Sequence, residues 1–376
     1  MFEQFKDWYD KHHEYAEDWK VRTGGKVLAY ICTYVPEEIL YAADILPVKV
    51  YGSHEASDLT ERHIFGMYCP FCRDTLAQVL KGRYDYAEGV AIGQACMHDR
   101  QVFWSWQIHK PTPFMYYIPM PVNVQSVHAL PHLAAEYKLF KEAVEKWIGR
   151  EITDKDLDRG IEIVNRNREL MRKVYEFRNE DNPPLTGVEV MHMTASSQMV
   201  DKREHNKALE KLLKELPSRK MDRKTGIRLM VVGSESDDIE FMEMVESLNT
   251  TFVADDHCTA SRAFWNSVVP QEDRLKAIAK RYLDRPPCPT KDVTTKFKRF
   301  GHVLKMAKEA KVEGAIIIQQ KFCDPHEIDI PLLRKRFEDE GIRTYFLELD
   351  VTVPVGQFKI RVEAFLEMLR ADDLPY

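Results

Sequence analysis

A chain of 376 residues that is 44% apolar and 30% charged carries enough hydrophobic material for two or three cores, which excludes disorder as its main state. Its formal net charge is −6 and its basic residues are interspersed with acids, so there is no basic stripe for a phosphate backbone and nucleic acid is excluded as a partner. No apolar run approaches the roughly 20 residues that cross a bilayer, and Met1-Phe2-Glu3-Gln4-Phe5-Lys6-Asp7-Trp8 reads as neither signal nor transit peptide, so a soluble cytoplasmic protein with no membrane partner is expected.

In chain order, short β-branched runs ending in a turn alternate with amphipathic helical patterns, as in a parallel sheet flanked by helices. Strands are predicted at Lys26 to Ile31, Leu46 to Tyr51, Gly89 to Gly93 and Phe114 to Ile118, with helices at Pro36 to Ala43, Pro70 to Lys81 and near Asp99 to Trp106. Pro36 and Pro70 suit a first helical position, where a missing N–H costs nothing. From about Val127 to Lys220 the period is helical: Thr153 with Asp156 forms a capping box, and Leu157, Ile161, Val164, Met171 and Val174 mark one apolar face. Asn182-Pro183-Pro184 is expected to end that helix.

The first scheme then returns, with strands at Arg228 to Val232, Thr251 to Ala254, Ala315 to Gln319 and Thr344 to Leu349, and helices at Asp238 to Leu248, Thr294 to Ala310, Ile330 to Glu338 and Gln357 to Leu369. The expected fold class is α/β: two Rossmann-like parallel-sheet lobes, 1–126 and 223–376, joined by a helical insert, 127–222. The cleft between the lobes is the expected ligand site.

Seven cysteines, an odd number on a chain without an export signal, do not form a disulfide framework and are read as thiols or metal ligands. In open α/β sheets ligands bind beyond the carboxyl ends of the strands. Cys96 lies just past the third predicted strand, Cys323 just past the seventh, and Asp324-Pro325 then opens a helix. Cys69 precedes Pro70, which makes it an N-cap where the helix terminus favours the thiolate. Three such thiolates can converge on one point, and no fourth ligand stands in a comparable place. A cubane cluster with three protein thiolates leaves one iron open to water or substrate, as catalytic zinc keeps an open position.

Taken singly, most free cysteines are small buried hydrophobes, and Cys32 and Cys288 are read that way. Cys69 and Cys72 form a lone C-x-x-C without the second pair that structural zinc requires, and Cys72 is a possible substitute for Cys69. His98, His257 and His326, each near a cysteine, are read as hydrogen-bonded at helix starts, with ligation or proton donation as the alternative. No G-x-G-x-x-G follows a predicted strand and no G-x-x-x-x-G-K-[ST] is present, so neither a dinucleotide nor ATP is expected on this chain. Gly233-Ser234-Glu235-Ser236 is read as a helix cap.

Six short motifs in order resemble those of the 2-hydroxyacyl-CoA dehydratase and benzoyl-CoA reductase family. They are Thr33-Tyr34-Val35-Pro36-Glu37-Glu38, Cys69-Pro70-Phe71, Cys96 after Val90-Ala91-Ile92, Asp255-Asp256-His257-Cys258-Thr259, Lys321-Phe322-Cys323-Asp324-Pro325, and Leu347-Glu348-Leu349-Asp350 with Gly356-Gln357 through Phe365. Ala260 stands where the family usually has glycine. The resemblance implies a [4Fe-4S] cluster on Cys69, Cys96 and Cys323, selects Cys69 over Cys72, and leaves Cys258 outside the cluster. It also implies a homologous cluster-binding partner subunit, an ATP-hydrolysing iron–sulfur activator, ferredoxin as donor and an acyl-CoA substrate. Within the family the chain looks most like the smaller cluster-binding subunit of ATP-dependent benzoyl-CoA reductase, which reduces the aromatic ring to a cyclohexadiene product. The competing readings are a dehydratase subunit, a metal-free two-lobed binding protein, and a zinc or dithiol redox adaptor.

Overall fold

The computed structural model describes residues 1–56, 58–291 and 298–372. Two N-terminal helices, α1 (Glu3–Asp10) and α2 (His12–Thr23), precede a first sheet of β1 (Val27–Ile31), β2 (Leu46–Lys49), β3 (Gly89–Gly93) and β4 (Phe114–Ile118). Between its strands run α3 (Glu37–Ala42), α4 (Pro70–Leu80) and α5 (Met97–His109). Four helices follow: α6 (Ala129–Ile148), α7 (Asp154–Glu176), α8 (Gly187–Ser196) and α9 (Lys202–Glu215). The second sheet has β5 (Ile227–Gly233), β6 (Thr250–Asp256), β7 (Gly314–Gln320) and β8 (Arg343–Leu349); this part of the chain also forms α10 (Ile239–Glu246), α11 (Arg274–Asp284), α12 (Lys298–Glu309), α13 (Asp324–Asp339) and α14 (Val355–Asp372). The start of the helix expected from Thr294 lies outside the described residues.

Both sheets are wholly parallel, with strand orders β2-β1-β3-β4 and β6-β5-β7-β8. The expected α/β class with two lobes is therefore what the chain adopts. In each sheet the order reverses between the two central strands, β1 and β3 in the first and β5 and β7 in the second. Such a switch point opens a crevice at the carboxyl edge, because the two following connections leave in opposite directions. β1, β3, β5 and β7 are buried along their length, as strands covered on both faces must be.

Two packing features do not follow from the strand pattern. The residues between β6 and α12 cross back to the first lobe: Val268, Ala277, Ile278, Tyr282 and Cys288 share a core with Leu28, Ile39 and Tyr137. At the other end Phe2 and Phe5 of the N-terminal segment join the core of α7, α8 and α9 with Met171, Met193 and Leu209. The predicted face of α7 is buried, and Thr153 and Asp156 make both halves of the capping box. That helix ends at Glu176, short of the prolines, because a 3₁₀ turn over Phe177–Asn179 carries Arg178 inward, where it pairs with Asp255 and donates to the Phe252 carbonyl at 3.0 Å.

α13 starts at Asp324, where Asp324-Pro325 is expected to open a helix, and runs on unbroken through the helix predicted from Ile330, with Pro331 inside it.

Candidate functional site

The two switch points face each other across the interlobe cleft, and side chains of both sheets lock them there. Lys49 at the end of β2 reaches Glu235 beyond β5 at 3.3 Å. The Gly52 N–H donates to Asp237 at 2.8 Å, His54 Nε2 lies 3.1 Å from the same carboxylate, and Arg73 pairs with Asp350 at 2.8 Å. Deeper, Arg168 of α7 binds Glu38 of α3 at 2.6 Å with both groups fully buried, and Tyr282 donates to Glu38 at 3.0 Å. Gly233 makes the turn out of β5 at φ +148°, where a Cβ would lie 1.7 Å from the Ile318 carbonyl oxygen. Its motif thus serves a tight turn beside β7, and Asp238, two residues past it, caps α10.

Between the switch points lies a cavity walled by Cys69, Cys96 and Cys323, with Cys72 beside them and Cys32, Cys258 and Cys288 on the remaining wall. It spans about 640 Å³ out to its open side, a size that suits a compact guest.

Each sequence-predicted cysteine stands at the same kind of position. Cys69 is the N-cap of α4 with Pro70 first in the helix, Cys96 the N-cap of α5, and Cys323 the N-cap of α13. Three helix N-termini therefore converge on the cavity, and their free N–H groups and dipoles favour negative charge there. The Asp99 N–H already donates to the Cys96 sulfur at 3.3 Å. The Cys69 thiol is held below the ordinary thiol range, chiefly by the hydrogen bond from Cys72, with His98 and the N–H groups of Phe71 and Cys72 assisting against burial. Burial pushes the thiols of Cys96 and Cys323 up. Among the described residues no three His, Cys, Asp or Glu side chains are grouped closely enough to hold a metal ion.

Each of the three histidines has a hydrogen-bond partner; His98 and His326 stand in the first turns of α5 and α13, whereas His257 lies in the turn after β6 and not at a helix start. His98 Nδ1 accepts from the Cys69 N–H at 2.9 Å, His257 Nδ1 lies 2.6 Å from Thr259 Oγ1, and His326 Nδ1 lies 3.3 Å from Cys323 Sγ. Sequence reasoning missed Asp99, a wall residue whose carboxyl burial pushes up to about 7, with Glu235 and Cys69 adding to the effect. It also missed Arg262 and Arg285 on the same wall. Arg262 is fully buried on Asp256 at 2.8 Å, and Arg285 donates to the Thr33 carbonyl at 2.7 Å while stacking on Tyr34 at 3.8 Å.

A family described as 2-hydroxyglutaryl-CoA dehydratase, D-component, matches residues 32–369. The chain belongs to this family. It is 27% identical over 370 residues, 98% of each chain, to the (R)-phenyllactyl-CoA dehydratase beta subunit of Clostridium sporogenes. A benzoyl-CoA reductase subunit of Thauera aromatica is 25% identical over 333 residues, 87% of this chain and 86% of that one. The lactoyl-CoA dehydratase beta subunit of Anaerotignum propionicum is 24% identical over 372 residues, 98% of each chain. The family resemblance carried by the short motifs is borne out, and reductase and dehydratase subunits match at nearly equal identity. Like these relatives, members of the family are subunits of dehydratases or reductases that act on CoA thioesters. Among the described residues no helix is long and apolar enough to cross a membrane.

Proposed function

We propose that this chain is an iron–sulfur subunit that passes single low-potential electrons to an acyl-CoA thioester, with a [4Fe-4S] cluster on Cys69, Cys96 and Cys323. The observation that carries the reading is that these three residues, from separate turns of both lobes, each stand at the N-cap position of a helix, and their side chains wall one cavity at the facing switch points. The residues present fit such a group: soft thiol donors for iron, helix N-termini for its negative charge, and a cavity sized for a compact guest. When bound, the cluster supplies electrons near the lower limit of biological clusters, roughly −700 mV.

The chain's own residues bind and shield. The N–H groups at the starts of α4, α5 and α13 hold negative charge in place. The interlobe pairs Lys49–Glu235 and Arg73–Asp350 keep the two walls together and limit water. Because no phosphate-binding loop is present in the sequence, ATP hydrolysis is assigned to a separate iron–sulfur activator fed by ferredoxin. The enzyme, in the cytoplasm, is completed by a homologous subunit.

Within this reading the reaction is the reduction of benzoyl-CoA to a cyclohexadiene-carbonyl-CoA, supported by the likeness of the cysteine motifs to the reductase's smaller subunit. A second reading, a 2-hydroxyacyl-CoA dehydratase subunit, is supported by the end-to-end match to the phenyllactyl-CoA dehydratase chain. An air-free assay with the cognate partner and activator separates them. Stoichiometric electron consumption with benzoyl-CoA is the expected result; turnover of a hydroxyacyl-CoA with only catalytic electron use overturns it in favour of the dehydratase. Iron and sulfide analysis of protein purified without air tests the site itself: Cys69→Ser, Cys96→Ser and Cys323→Ser lower the iron content and Cys72→Ser does not. Protein that is free of iron as purified without air refutes the cluster.

A further inference from the structure

Burying a guanidinium is unfavourable unless a carboxylate or a full set of acceptors receives it. The buried arginines of this chain satisfy that requirement in two ways. Arg168, Arg178, Arg262 and Arg299 each pair with a carboxylate, from Glu38, Asp255, Asp256 and again Asp256. Arg228 and Arg281 pair with none, but their side chains donate to four and two backbone carbonyls respectively. Arg285, at 3% exposure, does neither. Among the described residues no carboxylate pairs with it, its side chain donates once, to the Thr33 carbonyl at 2.7 Å, and its Nε is buried without a partner.

Its position gives that excess charge a use. Arg285 follows the last residue of α11 at φ −63° and ψ 159°, the extended conformation imposed on a residue that precedes proline, here Pro286. The guanidinium lies 3.8 Å over the Tyr34 ring, and the residue forms part of the wall of the cavity that Cys69, Cys96 and Cys323 share. The other arginine of that wall, Arg262, is already neutralised by Asp256 at 2.8 Å. A buried cation with a donor left over, in the wall of a cavity, calls for negative charge inside that cavity.

We propose that Arg285 favours the reduced state of the cavity's guest: its fixed positive charge stabilises the negative charge that an electron brings, and so sets the potential at which the electron is held. The proposal rests on the reading that Cys69, Cys96 and Cys323 hold an iron–sulfur cluster. The step is the passage of one electron from the iron–sulfur activator to that cluster. No bond forms or breaks and no proton moves, because the balancing charge is a guanidinium that keeps its proton throughout. Arg285 acts through the cluster and is a positioning residue. Being buried, its charge is little screened by dissolved salt.

The test is a redox titration of full-length protein purified without air, followed by electron paramagnetic resonance, with iron and sulfide measured on the same samples. Arg285→Gln removes the charge and keeps a donor for the Thr33 carbonyl, whereas Arg285→Lys keeps the charge. At the wild-type midpoint the reduced-to-oxidised ratio of Arg285→Gln is expected to fall about tenfold, a drop of about 59 mV for one electron, at low and at high salt alike. Arg285→Lys is expected to recover most of that drop. A glutamine variant with full iron and the wild-type potential overturns the proposal, and so does a drop that the lysine variant shares in full, since lost packing then accounts for it. Loss of iron from Arg285→Gln overturns it too, because Arg285 is then needed to hold the guest and not its electron. Wild type free of iron overturns the cluster reading itself, whereas iron-loaded wild type beside an unshifted glutamine variant removes only the role of Arg285.

Discussion

His54 is the interlobe contact most open to a quantitative test. It sits at φ 55° between β2 and α4, its Nε2 3.1 Å from Asp237 and its Nδ1 3.7 Å from Asp238 across the cleft. Burial alone lowers its proton affinity, but Asp237, then Asp238 and Asp74, overcome that and push the imidazole up to about 9 from 6.5. Each pH unit of such a change is worth about 1.4 kcal/mol, which bounds the contribution of the charged imidazole at roughly 3 kcal/mol. The sign is that of a cation favoured by folding: the stabilisation is complete below about pH 6.5 and is lost as pH rises through about 9. His54→Gln removes the charge and keeps a hydrogen-bonding side chain. In air-free urea titrations the stability gap between wild type and variant should be about 3 kcal/mol at pH 6 and shrink to about 0.5 kcal/mol or less at pH 9.5. Cys69 and Asp99 titrate in both proteins and cancel from the difference. Two stability curves that run parallel from pH 6 to 9.5 refute the charged latch.

Gly160→Ala should cost about 3 kcal/mol in the same titrations, because its Cβ would lie 2.1 Å from the Glu38 carbonyl oxygen and part α7 from α3; a loss under about 1 kcal/mol contradicts the close approach. Gly301→Ala is the matched control: nothing lies within 4 Å of its Cβ in the body of α12, so the variant should melt at or slightly above the wild-type temperature, by about 0.5–1 kcal/mol of helix propensity. Asp256→Asn should destabilise by about 3–5 kcal/mol, since Arg262 at 2.8 Å and Arg299 at 3.2 Å lose their shared buried carboxylate. Burial favours protonation of Asp256, yet the two guanidiniums hold it well below the usual carboxylate range, so this contribution is full at neutral pH and disappears only in strong acid, as acid-unfolding curves of the two proteins would show.

What the sequence makes legible is whatever leaves a local trace. The strands show as β-branched runs, the capping box at Thr153 and Asp156 shows as a spacing, and Cys69 is marked as a helix cap by the proline after it. Cys96 and Cys323 are readable because each follows a recognisable strand and precedes a helix. Cys32, Cys258 and Cys288 lack the full signature, since none of them directly precedes an α-helix. Cys32 turns the chain with a positive φ, Cys258 sits beyond β6 in a turn without a long helix, and Cys288 reaches the cavity only because the stretch after β6 returns to pack on the first lobe. That return is decided by Val268, Ile278 and Tyr282 finding Leu28 and Tyr137, a contact between distant segments that no window of sequence contains. Asp99 is hidden for the same reason: its carboxyl is raised by burial and by Glu235 from the other lobe. The part of the site set by single helix starts is therefore written locally, and the part set by the meeting of two lobes is written in the core packing that closes them.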